Sequence, residues 1–181
     1  MKEIKVRLKV HQSRFLGIIE YPTRYRRFSD FLNNSQDFLK IIHPESIDPI
    51  NYESILLVNK KSISYIHSIE EEYKPQKNLT EGGFFGVALR LKNDESIKGQ
   101  IFCSHEKTDN LLDGILRQTG FFIKIKNPFI VETSEKYNFL AVGKSDILTM
   151  EIDPKPLSRN PKRIDMNSIE NNRKTACKDY S

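Results

Sequence analysis

One stretch of this chain is written twice. Residues 28–66 lie on residues 112–150 without a gap at a shift of 84 positions, and nine of the 39 matched pairs are identical. They are Leu32/Leu116, Phe38/Phe122, Lys40/Lys124, Ile41/Ile125, Pro44/Pro128, Leu56/Leu140, Val58/Val142, Lys60/Lys144 and Ile63/Ile147. Most other matched apolar positions stay apolar, as in Phe31/Ile115, Leu39/Ile123 and Ile47/Val131. A helical pattern, a proline break and a turn signal recur in one order. A chain of 181 residues is one ordinary domain or two small ones, and the repeat predicts two. Units of about 70 residues bury only ~60% of their unfolded surface and are marginal alone. The copies are therefore expected to pack on each other, or each molecule to pair with another.

Upstream of the matched stretch, Ile4, Val6, Leu8 and Val10 alternate with Lys5, Arg7 and Lys9, the period of a half-buried strand. Phe85, Val87, Leu89 and Leu91 repeat it. A second strand is expected through Phe15–Ile19 and again through Ile97–Phe102, each holding a glycine, Gly17 and Gly99. Glycine inside a strand costs about 0.5–1 kcal/mol relative to alanine, so its recurrence points to a sharp bend or a close backbone approach. Ser29 reads as a helix N-cap with Asp30 in the first turn, opening a helix of two or three turns over Phe28–Ser35. Its counterpart spans Leu112–Thr119, with Thr108 or Asp109 as cap. A third strand, Phe38–Ile42 and Phe122–Lys126, meets Pro44 and Pro128, which mark a bend or an edge. The unit closes on an expected hairpin, Ile55–Val58 and Ser62–Ile66 around Asn59-Lys60. Phe139–Val142 and Asp146–Met150 repeat it around Gly143-Lys144, since Asn and Gly tolerate the positive φ of tight turns. Lys60 and Lys144 read as exposed hairpin lysines.

The resulting organisation is mainly β, with short helices. Residues 1–69 form a first small barrel, 70–83 a linker carrying Glu70-Glu71-Glu72 and Gly82-Gly83, and 84–152 a second barrel. Residues 153–181 form a disordered basic tail, where the apolar period ends among Pro154, Pro156 and Pro161. Strand, strand, short helix, strand and a terminal Val-Asn-Lys or Val-Gly-Lys segment resemble an SH3-like or Sm-like barrel. Ile55–Ile63 is similar to the final hairpin motif of Sm-like proteins. The unit also resembles short bacterial repeat domains of unknown function that carry a Ser-Asp-x-Leu-Asn segment, here Ser29-Asp30-Phe31-Leu32-Asn33. The Sm-like resemblance implies RNA binding by an oligomeric ring, but the Asp and Asn those proteins present to RNA have no match here.

The chemistry-bearing candidates are few. Arg24, Arg26 and Arg27 interleave with Tyr21, Tyr25 and Phe28, and His11 and Arg14 are near enough in the chain to join them. Guanidinium groups fork onto phosphates and carboxylates, and aromatics stack on bases. A solvated loop whose aromatics cap the barrel accounts for the same residues, and the second copy keeps no such charge density. The net charge of +5 fits either account. Catalysis rests only on Cys103 beside Ser104-His105, where a small apolar filler is the simpler account. The histidines His11, His43, His67 and His105 lack ligand spacing, and Glu81-Gly82-Gly83-Phe84 lacks the Lys-Ser/Thr of a phosphate loop. No metal or cofactor is expected. No run approaches the ~20 apolar residues of a membrane helix, and Cys103 and Cys177 suggest no disulfide, so a cytoplasmic protein is expected.

Three functions follow. The first is a non-enzymatic binding or scaffold module that engages a protein partner, or itself, through barrel edges or the Glu20–Arg27 loop. The second is a nucleic-acid or polyanion binder using Arg24, Arg26, Arg27 and the tail. The third is a small enzyme using Cys103 and His105.

Overall fold

The computed structural model describes residues 1–46, 55–69, 82–104 and 119–159. The first half runs β1 (Lys2–Val10), β2 (Ser13–Tyr21), α1 (Phe28–Leu32), β3 (Phe38–Ser46), β4 (Leu56–Asn59) and β5 (Ile63–Ser68). The second runs β6 (Gly82–Leu91), β7 (Ser96–Ser104), β8 (Phe122–Ile130), β9 (Phe139–Gly143) and β10 (Ile147–Arg159). All pairings are antiparallel, in one ten-stranded sheet of order β10-β6-β7-β8-β9-β5-β1-β2-β3-β4. Within each half the order is therefore the same, β5-β1-β2-β3-β4 and β10-β6-β7-β8-β9.

The sheet is not two closed barrels. β4 pairs with β3 and β5 with β1, but β4 and β5 do not pair with each other. Instead β5 pairs with β9 of the second half, Tyr65 against Val142 and Ile66 against Ala141. β4 and β10 are left at the two ends of the strand order.

The expected hairpins are accordingly absent. A 3-10 turn, Lys60–Ser62, carries the chain from β4 to β5, and another, Lys144–Asp146, from β9 to β10. Neither Asn59 nor Gly143 has positive φ; both sit near −66°. Asn59 is there because its side chain accepts the Lys61 backbone N–H at 2.9 Å. Gly143 is there because a Cβ would fall 2.0 Å from the Ile63 carbonyl oxygen, across the β5·β9 junction. The strands on either side need different neighbours, and a 3-10 turn redirects the chain where a hairpin would fold it back.

Of the two expectations for the strand glycines, a bend or a close approach, the structure shows the close approach. A Cβ on Gly17 would lie 2.4 Å from Ile41 Cγ2, and one on Gly99 2.4 Å from Ile125 Cγ2. β3 and β8 run through Pro44 and Pro128, and the residues before them, His43 and Asn127, both take φ of 48°. The β2–β3 and β7–β8 pairings shift register at these glycines.

α1 starts at Phe28, before the expected Ser29 cap, and ends at Leu32, short of Ser35. Its N-cap is Arg27, without a side-chain bond, and Ser29 lies buried inside the helix. Burial of Phe28, Phe31 and Leu32, rather than capping, holds this turn. The counterpart expected over Leu112–Thr119 lies almost wholly outside the described residues, as do Glu70-Glu71-Glu72 and most of the C-terminal tail. Gly82 and Gly83, expected in the linker, begin β6 against Ser104 and Cys103. Residues 153–159, expected in the tail, extend β10, with Pro156 opposite Phe85.

Two apolar clusters fill the molecule, one per half, and each borrows from the other. Phe122 and Ala141 join Val6, Leu8, Ile19, Phe28 and Ile41 of the first half. Tyr65 joins Leu89, Ile97, Ile125 and Val142 of the second. Side chains exchanged across the junction thus tie the two clusters together.

Candidate functional site

The expected basic site is divided by the fold. Tyr21, at the end of β2, is buried and stacks on Phe31 at 5.4 Å between ring centroids, with Phe28 at 5.7 Å. Tyr25 is half-buried, edge-on to Phe31 at 5.5 Å, and its carbonyl accepts a bond from Lys2 Nζ. These rings belong to the core. Arg24 and Arg26 are exposed and Arg27 half-buried, in the loop between β2 and α1, and Arg24 lies over its neighbour Tyr25 at 5.2 Å. Among the described residues no carboxylate forms a salt bridge with these three. They are a free cationic surface on an aromatic footing.

Arg14 is elsewhere. It reaches across the junction to Glu135, 3.3 Å away, in the loop between β8 and β9. There it belongs to a polar seam between the halves that sequence reasoning missed. Lys9, on β1, forms a buried ion pair with Glu95, in the turn between β6 and β7. Glu95 also accepts from Asn93 Nδ2 at 3.0 Å, and Lys9 Nζ stands 6.0 Å from the Tyr65 ring centroid. Tyr65 is 2% exposed, and its hydroxyl has no hydrogen-bond partner. Burial, reinforced by the Glu95 charge, pushes that phenol above its ordinary value. His67, two residues on along β5, packs on Tyr137 at 4.5 Å, and burial holds its imidazole below its ordinary value. Tyr137 and Thr133 donate to Glu135. The alternation of β1 conceals this seam, because Lys9 occupies the position of a solvent-facing residue while being buried.

A second lock lies on the opposite side of β5. The Asn33 side chain accepts the Phe122 N–H at 2.9 Å and donates to the Phe122 carbonyl at 3.2 Å. Asp30 pairs with Lys124 at 3.0 Å. The Ser29–Asn33 segment therefore joins the two halves. Lys60 is not an exposed hairpin lysine: it is 1% exposed, with its Nζ donating to Asn34 Oδ1 at 2.6 Å and lying 5.0 Å from the Phe121 ring centroid. Burial, opposed by Asp37, lowers its pKa to about 8. Lys144 is half-buried, and burial lowers its pKa too.

Cys103 is buried, and that burial pushes its thiol up to about 11, away from the thiolate a nucleophile needs. His105 lies outside the described residues. Among the described residues no group of three His, Cys, Asp or Glu side chains could hold a metal ion, and no helix is long and apolar enough to cross a membrane.

One further surface stands out by comparison of the halves. On β3 and β4, Phe38 and Leu57 are 53% and 64% exposed, and Ile55 beside them is 54% exposed. Their equivalents at the 84-residue shift, Phe122 and Ala141, are 2% and 0% exposed, covered by the first half.

No family model, curated protein or solved structure matches this chain.

Proposed function

We propose that this protein is a non-enzymatic binding or scaffold module whose partner is a protein docked at the β3–β4 edge. The observation that carries this is the bare apolar face of Phe38 on β3, Leu57 on the end strand β4 and Ile55 just before it, where the equivalents of Phe38 and Leu57 in the second half are covered. An end strand presents unpaired backbone groups that another chain can complete. Clustered exposed apolar side chains add the burial that makes such pairing specific. The shared strand order and the matched glycine contacts support reading each half as one bent SH3-like or Sm-like unit. A photo-crosslinking benzoylphenylalanine placed at Leu57 tests the proposal in cells. A discrete protein adduct is expected there and not from the same probe at Lys98, exposed on β7. Absence of any adduct at Leu57 would overturn the proposal.

A second reading is favoured by the unpaired Arg24, Arg26 and Arg27 beside Tyr25. It assigns the loop to polyanions, with guanidinium forks on phosphate. RNA and DNA oligonucleotides titrated at two salt concentrations test it. Binding should fall steeply with salt and vanish in the triple alanine variant; no binding at low salt dismisses it.

A further inference from the structure

We infer that the partner at the β3–β4 edge is a second copy of this chain, docked by its β10 edge, head to tail. The inference rests on the proposed edge function and names its occupant. The junction within the molecule is the argument. There β5 offers its edge to β9, with Tyr65 opposite Val142 and Ile66 opposite Ala141. At the 84-residue shift β5 corresponds to the start of β10, and β9 to β4. Those two strands stand at opposite ends of the sheet, each paired on one side and open on the other. Each molecule thus carries both sides of a junction it has already made once, left over at its two ends. Transferring the register sets Thr149 against Val58 of the next molecule, and Met150 against Leu57. Leu57 and Leu148 are 64% and 55% exposed in the single chain, so both contributing edges have apolar side chains to bury. Pro154 and Pro156 confine the pairing to the beginning of β10, because proline cannot donate to a ladder.

One residue makes the outer contact weaker than the inner one. Gly143 admits the Ile63 carbonyl oxygen to within 2.0 Å of where a Cβ would stand. The equivalent position on β4 is Asn59, facing the carbonyl of Ile147 from the next molecule. Its Cβ forbids the full inner geometry, so the strands meet more loosely and associate reversibly. Because the two surfaces differ, association does not stop at a pair unless the rotation closes.

Sedimentation velocity of the purified full chain over a wide concentration series tests this. The wild type should show a weight-average mass that rises with concentration. Asn59→Gly should move the rise to at least about tenfold lower concentration, a change of about 1.4 kcal/mol. Leu57→Asp should hold the protein at monomer mass throughout; Met150→Asp should do the same from the other side. Leu57 is exposed in the single chain, so unchanged circular dichroism is expected alongside that loss. Monomer mass for both the wild type and Asn59→Gly would overturn the inference, as would self-association surviving in Leu57→Asp. A cellular adduct at Leu57 with a different protein, together with a monomeric purified chain, would sink self-docking and leave the edge function standing.

Discussion

Asn33→Ala should loosen the two halves from each other, and the cost can be worked from two hydrogen bonds. Asn33 supplies an acceptor to the Phe122 N–H at 2.9 Å and a donor to the Phe122 carbonyl at 3.2 Å, on a residue that is 2% exposed. A hydrogen bond is worth about 1 kcal/mol net, and an abandoned buried partner costs about 1–3 kcal/mol. Asn33 itself is half-buried, so water can reach part of the gap and a loss of about 2–4 kcal/mol results. With a urea slope of about 2 kcal/mol/M, the midpoint falls by roughly 1–2 M. Asn33→Asp keeps the acceptor and removes the donor, and should lie between the wild type and the alanine variant. The chain has no Trp, so far-UV circular dichroism follows the transition. Amide exchange at Phe122 reports the lock directly and should accelerate in Asn33→Ala before global unfolding. A destabilisation under about 0.5 kcal/mol, with Phe122 protection unchanged, would refute the view that this side chain ties the halves together.

The seam gives a second test. Removing one partner of the buried Lys9–Glu95 pair, by Glu95→Gln or Lys9→Met, should cost about 3–5 kcal/mol, because it strands the other group in the interior. The double variant Lys9→Met, Glu95→Leu should recover much of that in a denaturant-based cycle. Lys60 gives a pH test. Its folded pKa of about 8 lies below the ordinary 10.5, so between those values the unfolded chain binds more protons than the folded one. Its contribution therefore makes stability rise with pH across that window. Burial of Tyr65 and Cys103 acts in the opposite sense at the upper end, since their folded pKa values are raised. The wild type minus Lys60→Met difference isolates the effect: it should shift in favour of the wild type from pH 8 to pH 10, and a flat difference contradicts the buried ammonium.

Local physics was legible in this chain. The period-two runs at Ile4–Val10 and Phe85–Leu91 became β1 and β6 because alternation leaves a strand one apolar face. Gly17 and Gly99 announced a bend or a close approach because an unfavourable residue recurring in a strand needs a reason, and the reason is the close approach of the matched pair Ile41 and Ile125. Residue chemistry failed at Asn59 and Gly143. Both types suit a positive-φ hairpin, yet one caps a 3-10 turn through its side chain and the other clears a path for a carbonyl. Ser29 failed likewise: a good capping residue lies inside the helix because burying Phe28 fixes the start of the turn. The candidate site was legible only in part. Arg24, Arg26 and Arg27 are the surface cations their sequence implied, but Tyr21 went to the core and Arg14 to Glu135, 121 residues away in the chain.

What a repeat hides is which edge it gives away, since matched cores are compatible with any pairing of the two units. That information sits where the copies disagree. Leu57 is answered by Ala141 and Asn59 by Gly143: at each, the smaller residue lies on the strand that a neighbour approaches. Phe38 and Phe122 are identical, and only their surroundings differ, one bare and one covered. A face kept apolar where no described residue covers it is hard to explain by the matching of the copies alone, because an exposed Phe on β3 beside an exposed Leu on the end strand β4 invites aggregation. The differences between the inner junction and the outer edge, Asn59 for Gly143 and Leu57 for Ala141, would weaken a contact of the proposed kind while leaving Leu57 apolar. That combination is what a reversible docking edge requires, and it is the physical reason for assigning the β3–β4 face a partner.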